Sequence, residues 1–339
     1  MYTVKQGGFL APVVLVAILG AWCLLLGEPK PPFQGLGWQA AEEPWSPVAG
    51  FRKVDPYPLY VATYAADYRL SEYLETGSYS PSMIRGEPGC TCFYAAGSGV
   101  YGRNFDFPPN PVLLLFTYPD DGYASVSLVD LGYFGYSMSE LPDADDLESL
   151  TTTPYLPFDG MNEAGLVVGM AAIPHAEPPF SSDKVFIGEI QVIRLLHDRA
   201  ATVDEALTLL DDYNVEMIEP PIHYLVADAA GASALIEFVG GERRVVTGSS
   251  FNVMTNFIVT ETNMEEGAPC ARYNHVFEGL FEAQGTVSPD EAMTLLRGSS
   301  QSSTIWSVVY SPATGEVHVV MGRGYNNVHT FKLNSTEPG

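Results

Sequence analysis

The residues that could do chemistry gather in one stretch, Gly89-Cys90-Thr91-Cys92-Phe93-Tyr94-Ala95-Ala96-Gly97-Ser98-Gly99-Val100-Tyr101-Gly102-Arg103-Asn104-Phe105-Asp106-Phe107. A cysteine opens it and an Arg-Asn-x-Asp set closes it. Gly97-Ser98-Gly99 can supply the positive φ angles of a tight turn, so the stretch reads as a β-hairpin, residues 91–96 leaving and 100–107 returning. Pairing the strands brings the Cys90 thiol near the Arg103 guanidinium and the Asp106 carboxylate. A cation beside a thiol lowers its pKa, and the thiolate is the form that attacks. The same spacing also suits a buried hairpin with two small apolar cysteines and a surface ion pair, and spacing alone does not choose between them.

The elements that must hold this hairpin follow it. Residues 111–118 and 123–131 read as strands, and Phe158-Asp159-Gly160-Met161-Asn162-Glu163-Ala164-Gly165 reads as a turn before a third. An apolar stripe predicts a helix over 187–199, and the Thr-x-x-Glu box at Thr202 opens a second one, to about residue 213. A hairpin over 222–238 turns near Ala230-Gly231, and 243–257 gives two short strands. Residues 272–283 are helical, Ser288-Pro289-Asp290-Glu291 starts another helix, and 303–310 with 316–322 close the chain as a hairpin. Strands, a helix pair, more strands and more helices predict an α+β sandwich with helices outside stacked sheets.

Composition narrows the function. The 339 residues carry a net charge of −25 with only 17% charged side chains. That acidity argues against nucleic acid and anionic membrane surfaces as partners. The six histidines are scattered outside any metal-binding spacing, and neither a Gly-x-Ser-x-Gly elbow nor a phosphate loop is present, so no metal and no cofactor are expected. Residues 9–26 form an uncharged apolar run which, at ~1.5 Å per residue, makes about 27 Å of helix. It reads as a membrane-anchor helix within 1–27, with a cleaved signal peptide as the alternative. In either case the bulk of the chain faces the extracytoplasmic side, anchored or secreted. Residues 28–89 read as an irregular, Pro-rich linker and a pro-segment with one helix over 57–75. The catalytic domain is then 90–339, and a homo-oligomer is compatible with it.

Cys-Thr-x-apolar at Cys90, followed by Gly102-Arg103-Asn104-Phe105-Asp106, resembles the start of the mature chain in the choloylglycine hydrolase and linear-amide C–N hydrolase families. These are N-terminal nucleophile (Ntn) hydrolases, among them bile salt hydrolases, penicillin V acylases and acid ceramidase. The resemblance runs in patches to about residue 331. It implies a four-layer αββα fold and cleavage before Cys90, whose freed α-amine then serves as base. Arg103 would lower the thiol pKa and Asp106 would orient the amine. Thr255-Asn256 is similar to the oxyanion asparagine motif of these families. Arg272 matches an arginine near the active site of ceramidase-like members, although a helix-surface arginine fits equally. Two departures stand out. Ala172 occupies the place of a second oxyanion asparagine, and Ser300-Gln301-Ser302 stand where bile salt hydrolases carry an arginine. Cys92, two residues on along the same strand face, is the reserve nucleophile. The implied activity is hydrolysis of a linear amide with an apolar acyl group. An acyltransferase on the same scaffold and a non-catalytic binding protein remain the alternatives.

Overall fold

The computed structural model describes residues 47–76, 89–143, 147–218, 220–248 and 250–333. In chain order the strands are β1 (Val48–Asp55), β2 (Leu59–Tyr64), β3 (Gly89–Ala95), β4 (Val100–Asp106), β5 (Val112–Thr117), β6 (Ser125–Asp130), β7 (Asp159–Asn162), β8 (Val167–Ala172), β9 (Val185–Gly188), β10 (Tyr213–Glu216), β11 (Ile222–Ala227), β12 (Ser233–Val239), β13 (Glu242–Thr247), β14 (Phe251–Met254), β15 (Thr304–Ser311), β16 (Glu316–Met321) and β17 (His329–Lys332). The helices are α1 (Leu70–Thr76), α2 (Gln191–Arg199), α3 (Val203–Leu210), α4 (Ala271–Glu282) and α5 (Pro289–Ser299).

Two sheets dominate. One has nine strands in the order β1-β2-β5-β6-β7-β8-β11-β12-β13, the other six in the order β14-β3-β4-β15-β16-β17. Strands β3 and β8 pack face to face, α2 and α3 lie on the nine-stranded sheet, and α4 and α5 lie on the six-stranded one. The result is helix, sheet, sheet, helix. The main core fills the space between the sheets, and a smaller one lies beneath α4 and α5. Strands covered on both faces lose the polar alternation of a half-exposed sheet, and β3, β4, β6, β8, β11 and β12 are buried almost throughout.

The caps form at the expected places. Thr202 accepts from the Glu205 amide at 3.2 Å, and Ser288 with Glu291 makes a full reciprocal capping box on α5. Helix α3 is shorter than expected, because residues 213–216 leave it as β10, paired in parallel with β9.

The region before Cys90 needs correction. Residues 48–55 are not irregular linker but strand β1, and the helix expected over 57–75 is instead strand β2 followed by the short α1. The apolar residues of 59–64 can be read with either period, and lateral pairing decides for a strand. Strand β2 lies inside the nine-stranded sheet, antiparallel to β1 and parallel to β5. Leu59, Tyr60, Val61 and Ala62 are buried. Beyond β2, the Tyr68 hydroxyl donates to both carboxylate oxygens of Asp198, at 2.6 and 2.7 Å. The apolar run 9–26, expected as a membrane anchor, lies outside the described residues. Among the described residues no helix is long and apolar enough to cross a membrane.

Strands β1 and β2 could leave together only by breaking the parallel ladder of β2 with β5, which would bare the backbone edges of β2 and β5. We therefore expect a chain cut at Gly89–Cys90 to keep its upstream piece. Denaturing mass spectrometry should show two fragments and native mass spectrometry one particle. Residues 90–339 expressed alone should be insoluble or molten. A well-folded 90–339 fragment would refute this.

Candidate active site

The hairpin places its side chains by strand alternation. Strands β3 and β4 pair with Cys90 opposite Phe105 and Cys92 opposite Arg103. Cys90, Cys92 and Tyr94 from one strand, and Tyr101 and Phe105 from the other, enter the core between the sheets. Phe93, Ala95 and Val100 point the other way, under α4 and α5. The motif therefore splits across two faces. Arg103 is wholly buried, with Nη2 3.9 Å from the Cys90 sulfur and 3.0 Å from the Met170 carbonyl. Its Nη1 donates to the Asp159 carboxylate and the Phe158 carbonyl. Asp159 also accepts from Trp306 Nε1 at 3.0 Å and the Tyr310 hydroxyl at 2.5 Å. Asn104 faces away and ties α5 down by donating to the Leu296 carbonyl at 2.8 Å.

Asp106 ends β4. It accepts from Gln301 Nε2 at 2.7 Å and from the Thr304 hydroxyl, and Arg272 Nη1 is 3.8 Å away. Burial pushes its carboxyl upward, against these hydrogen bonds and the two arginines. Gln301 thus sits where related hydrolases were expected to have an arginine, and it engages the motif's aspartate.

Asn256 lies just past the end of β14. Its Oδ1 accepts from the Cys90 backbone nitrogen at 2.7 Å and from Arg272 Nη2 at 2.8 Å, while its Nδ2 donates to the Ala172 carbonyl at 2.8 Å. Arg272, in the first turn of α4, also donates through Nη1 to the Cys90 carbonyl and, at 3.0 Å, to the Thr91 hydroxyl. The five residues named from the sequence, Cys90, Arg103, Asp106, Asn256 and Arg272, therefore form one cluster. The partner of the Cys90 nitrogen is Asn256, however, and not Asp106. Ala172 supplies only a backbone carbonyl, which accepts.

The thiol itself is shut in. Cys90 is 1% exposed, and that burial raises its pKa, while Arg103 pulls it down. Burial prevails, and the Asp106 carboxylate adds to the rise. Cys92, deeper in the core, is pushed up to about 12 by burial. Beside Cys90 lies a narrow cavity lined by Phe105, Phe107, Tyr133, Phe158, Met170 and Ile222, among others. The buried Tyr133 hydroxyl has no partner among the described residues. Its ring is held between Phe107 and Phe158, at 6.5 and 5.0 Å between centroids.

Sequence reasoning missed Asp159, Gln301, Thr304 and Tyr133 as members of this cluster. Asp159 carried a faint signal, an acidic residue in an apolar stretch entering a buried strand. The others carried none.

The family model for acyl-coenzyme A:6-aminopenicillanic acid acyl-transferase matches residues 94–326. The match starts just after Cys90, so the nucleophile rests on geometry. Among solved structures the chain is similar to the conjugated bile acid hydrolase from Clostridium perfringens in two single-residue variants. One has 15% identity and a TM-score of 0.52, over 74% of this chain and 93% of that one. The other has 12% identity and a TM-score of 0.50, over 73% and 98%. The penicillin V acylase from Agrobacterium tumefaciens gives 15% identity and a TM-score of 0.49, over 72% and 86%. At these identities the likeness to the hydrolase is one of fold. No curated protein matches the sequence.

Asp130 gives this region a pH signature. It caps the 3-10 turn that carries Tyr133, accepting from the Gly132 amide at 2.8 Å, and burial raises its carboxyl to about 7. A carboxyl raised in the folded state contributes stability that is full below its unfolded value near 4 and is lost as pH rises through about 7. Between pH 8 and pH 5 this contribution should amount to on the order of 2–3 kcal/mol. Denaturant unfolding of Asp130→Asn should lack that part of the pH slope. An unchanged slope would exclude Asp130 as its source.

Proposed function

Since the chain belongs to the acyl-coenzyme A:6-aminopenicillanic acid acyl-transferase family, we propose that it is an Ntn cysteine amidohydrolase, cleaving a linear amide through an acyl-thioester on Cys90. The observation that carries this reading is the double engagement of one residue. The Cys90 sulfur lies 3.9 Å from a buried guanidinium, and its own nitrogen is held at 2.7 Å by Asn256. A nucleophile and its intended base on one residue need that residue fixed at both ends.

The proposed sequence begins with cleavage of the Gly89–Cys90 bond: the Cys90 sulfur attacks the Gly89 carbonyl, the acyl group passes from nitrogen to sulfur, and water hydrolyses that thioester to leave a carboxylate on Gly89. That exposes the sulfur and converts an amide nitrogen, which is no base, into an α-amine with a pKa of about 7.7–8.0. The amine takes the thiol proton and the sulfur attacks the substrate carbonyl. The tetrahedral oxyanion is held by the Asn256 Nδ2 and a backbone N–H. Arg103 favours the thiolate, and Asn256 Oδ1 and Arg272 orient the new terminus, with Asp106 3.8 Å from Arg272. Collapse breaks the C–N bond, and the ammonium returns its proton to the leaving amine. Water, deprotonated by the same amine, then attacks the thioester and frees the acid. The apolar cavity beside Cys90 is about 10 Å³ in the uncut chain, room for about one water, and would have to widen to take the acyl group.

Transfer of the acyl group to an amine is the second reading, favoured by the name of the matched family. The net charge of −25 opposes a polyanionic acyl donor such as a coenzyme A thioester, so water is the acceptor preferred here. Export follows from the apolar run 9–26 and belongs to the same proposal.

Gly89 gives a specific test. A Cβ there would strike the Gln301 side chain, and Gln301 could move only by releasing Asp106. Gly89→Ala should slow cleavage, and Cys90→Ala should abolish both cleavage and activity. Intact mass and N-terminal sequencing read the first effect, and trapping of a thioester adduct reads the second. Hydrolysis surviving in Cys90→Ala, or a mature chain starting at Cys92, would sink the assignment. Adding amine acceptors during turnover separates hydrolysis from transfer by product.

A further inference from the structure

Asn256 is fixed by more than its own hydrogen bonds. The chain leaves β14 in the six-stranded sheet at Met254 and crosses to the nine-stranded sheet, and Asn256 lies on that crossing. Two wholly buried residues of the nine-stranded sheet grip it. His223 on β11 places Nε2 2.7 Å from the Thr255 carbonyl and Nδ1 3.2 Å from Glu237 Oε1 on β12. Glu237 accepts from the Val259 amide at 2.7 Å and from the Thr260 amide and hydroxyl at 2.9 and 2.7 Å. The crossing is thus clipped immediately before Asn256 by the histidine, and three and four residues after it by the glutamate.

Both ring nitrogens of His223 are engaged, Nε2 by the Thr255 carbonyl and Nδ1 by the Glu237 carboxyl. Burial works to raise the Glu237 carboxyl, but the hydrogen bonds from His223 and Thr260 outweigh it and hold the group below the usual carboxylate range. The hydrogen bonds of this buried pair run to a loop whose apolar residues Phe257 and Ile258 are themselves buried. A hydrophobic pair would fill the same space without gripping the loop, and buried polar or ionic pairs contribute fixed geometry more dependably than net stability.

We propose that His223 and Glu237 are positioning residues of the active site, a histidine–glutamate clamp that sets the Asn256 amide against Cys90. This rests on the amidohydrolase reading above, in which Asn256 holds the Cys90 nitrogen and the oxyanion.

A double-mutant cycle on the processed enzyme tests it, with N-hexanoyl-p-nitroanilide as the amide probe and thermal melting as the check on folding. His223→Gln should lower kcat about tenfold or more, since small misplacement of a catalytic group is costly, with KM within about twofold. Asn256→Ala should lower kcat about 100-fold, the scale of a lost oxyanion donor. In the Asn256→Ala background His223→Gln should cost almost nothing further, because its effect runs through the missing amide. Equal losses in both backgrounds would overturn the clamp while leaving the amidohydrolase reading intact. An Asn256→Ala enzyme with unchanged kcat would instead overturn the role of Asn256, and the clamp with it. If His223→Gln does not fold, Glu237→Gln carries the same comparison, because it keeps one acceptor oxygen but loses the charge.

Discussion

A full positive charge between two apolar sheets must be answered, and the ion pair of Arg103 with Asp159 answers it. Arg103 comes from β4 of the six-stranded sheet and Asp159 from β7 of the nine-stranded one. Both side chains are fully buried. Losing one partner of such a pair strands the other, at a cost of about 3–5 kcal/mol. The pair is directional as well as costly. Trp306 and Tyr310 on β15 also donate to the carboxylate, and the Phe158 and Met170 carbonyls accept from the guanidinium. Sliding one sheet over the other would break several of these bonds together, so they hold the sheets in one alignment. That alignment leaves one guanidinium nitrogen facing the Cys90 sulfur.

The same alignment explains why the intact chain is restrained. The thiol is buried, its pKa is raised, and its nitrogen is still an amide. Under the proposed mechanism, reactivity would therefore wait on cleavage of the bond before Cys90. Arg272 binds the Cys90 carbonyl and Asn256 binds its nitrogen, so the backbone on the downstream side of the bond is held independently of whatever precedes Gly89.

Much of this was readable from residues alone where local rules decide. The hairpin with its Gly-Ser-Gly turn, the Thr202 and Ser288 caps, the Ala230-Gly231 turn and the closing hairpin all depend on nearby positions, and the structure has them. Cys90, Arg103 and Asp106 came from the hairpin, and Asn256 and Arg272 from resemblance. What was not legible depends on partners distant in the chain. Residues 59–64 could not declare themselves a strand without β5. Asp159 looked like a turn residue until β7 met Arg103. His223 and Glu237 looked like polar positions in strands, and their meaning appears only where the β14 crossing arrives. Asn104, inside the most informative motif, proved to serve α5 and not the thiol.

The parallel pairing of β2 with β5 also bears on when the chain can be cut. Strand β2 finds its neighbour only after the whole catalytic hairpin has been made, so this contact spans a long loop and forms late. Until then the peptide bond before Cys90 keeps the search unimolecular. Severing it early would turn the last step of sheet assembly into a bimolecular encounter, dependent on the concentration of a short fragment in place of the high effective concentration a tether provides. Once the sheet is closed the tether contributes almost nothing. In the proposed maturation, a buried thiol that attacks only from within the assembled site would tie the loss of the tether to the completion of the fold.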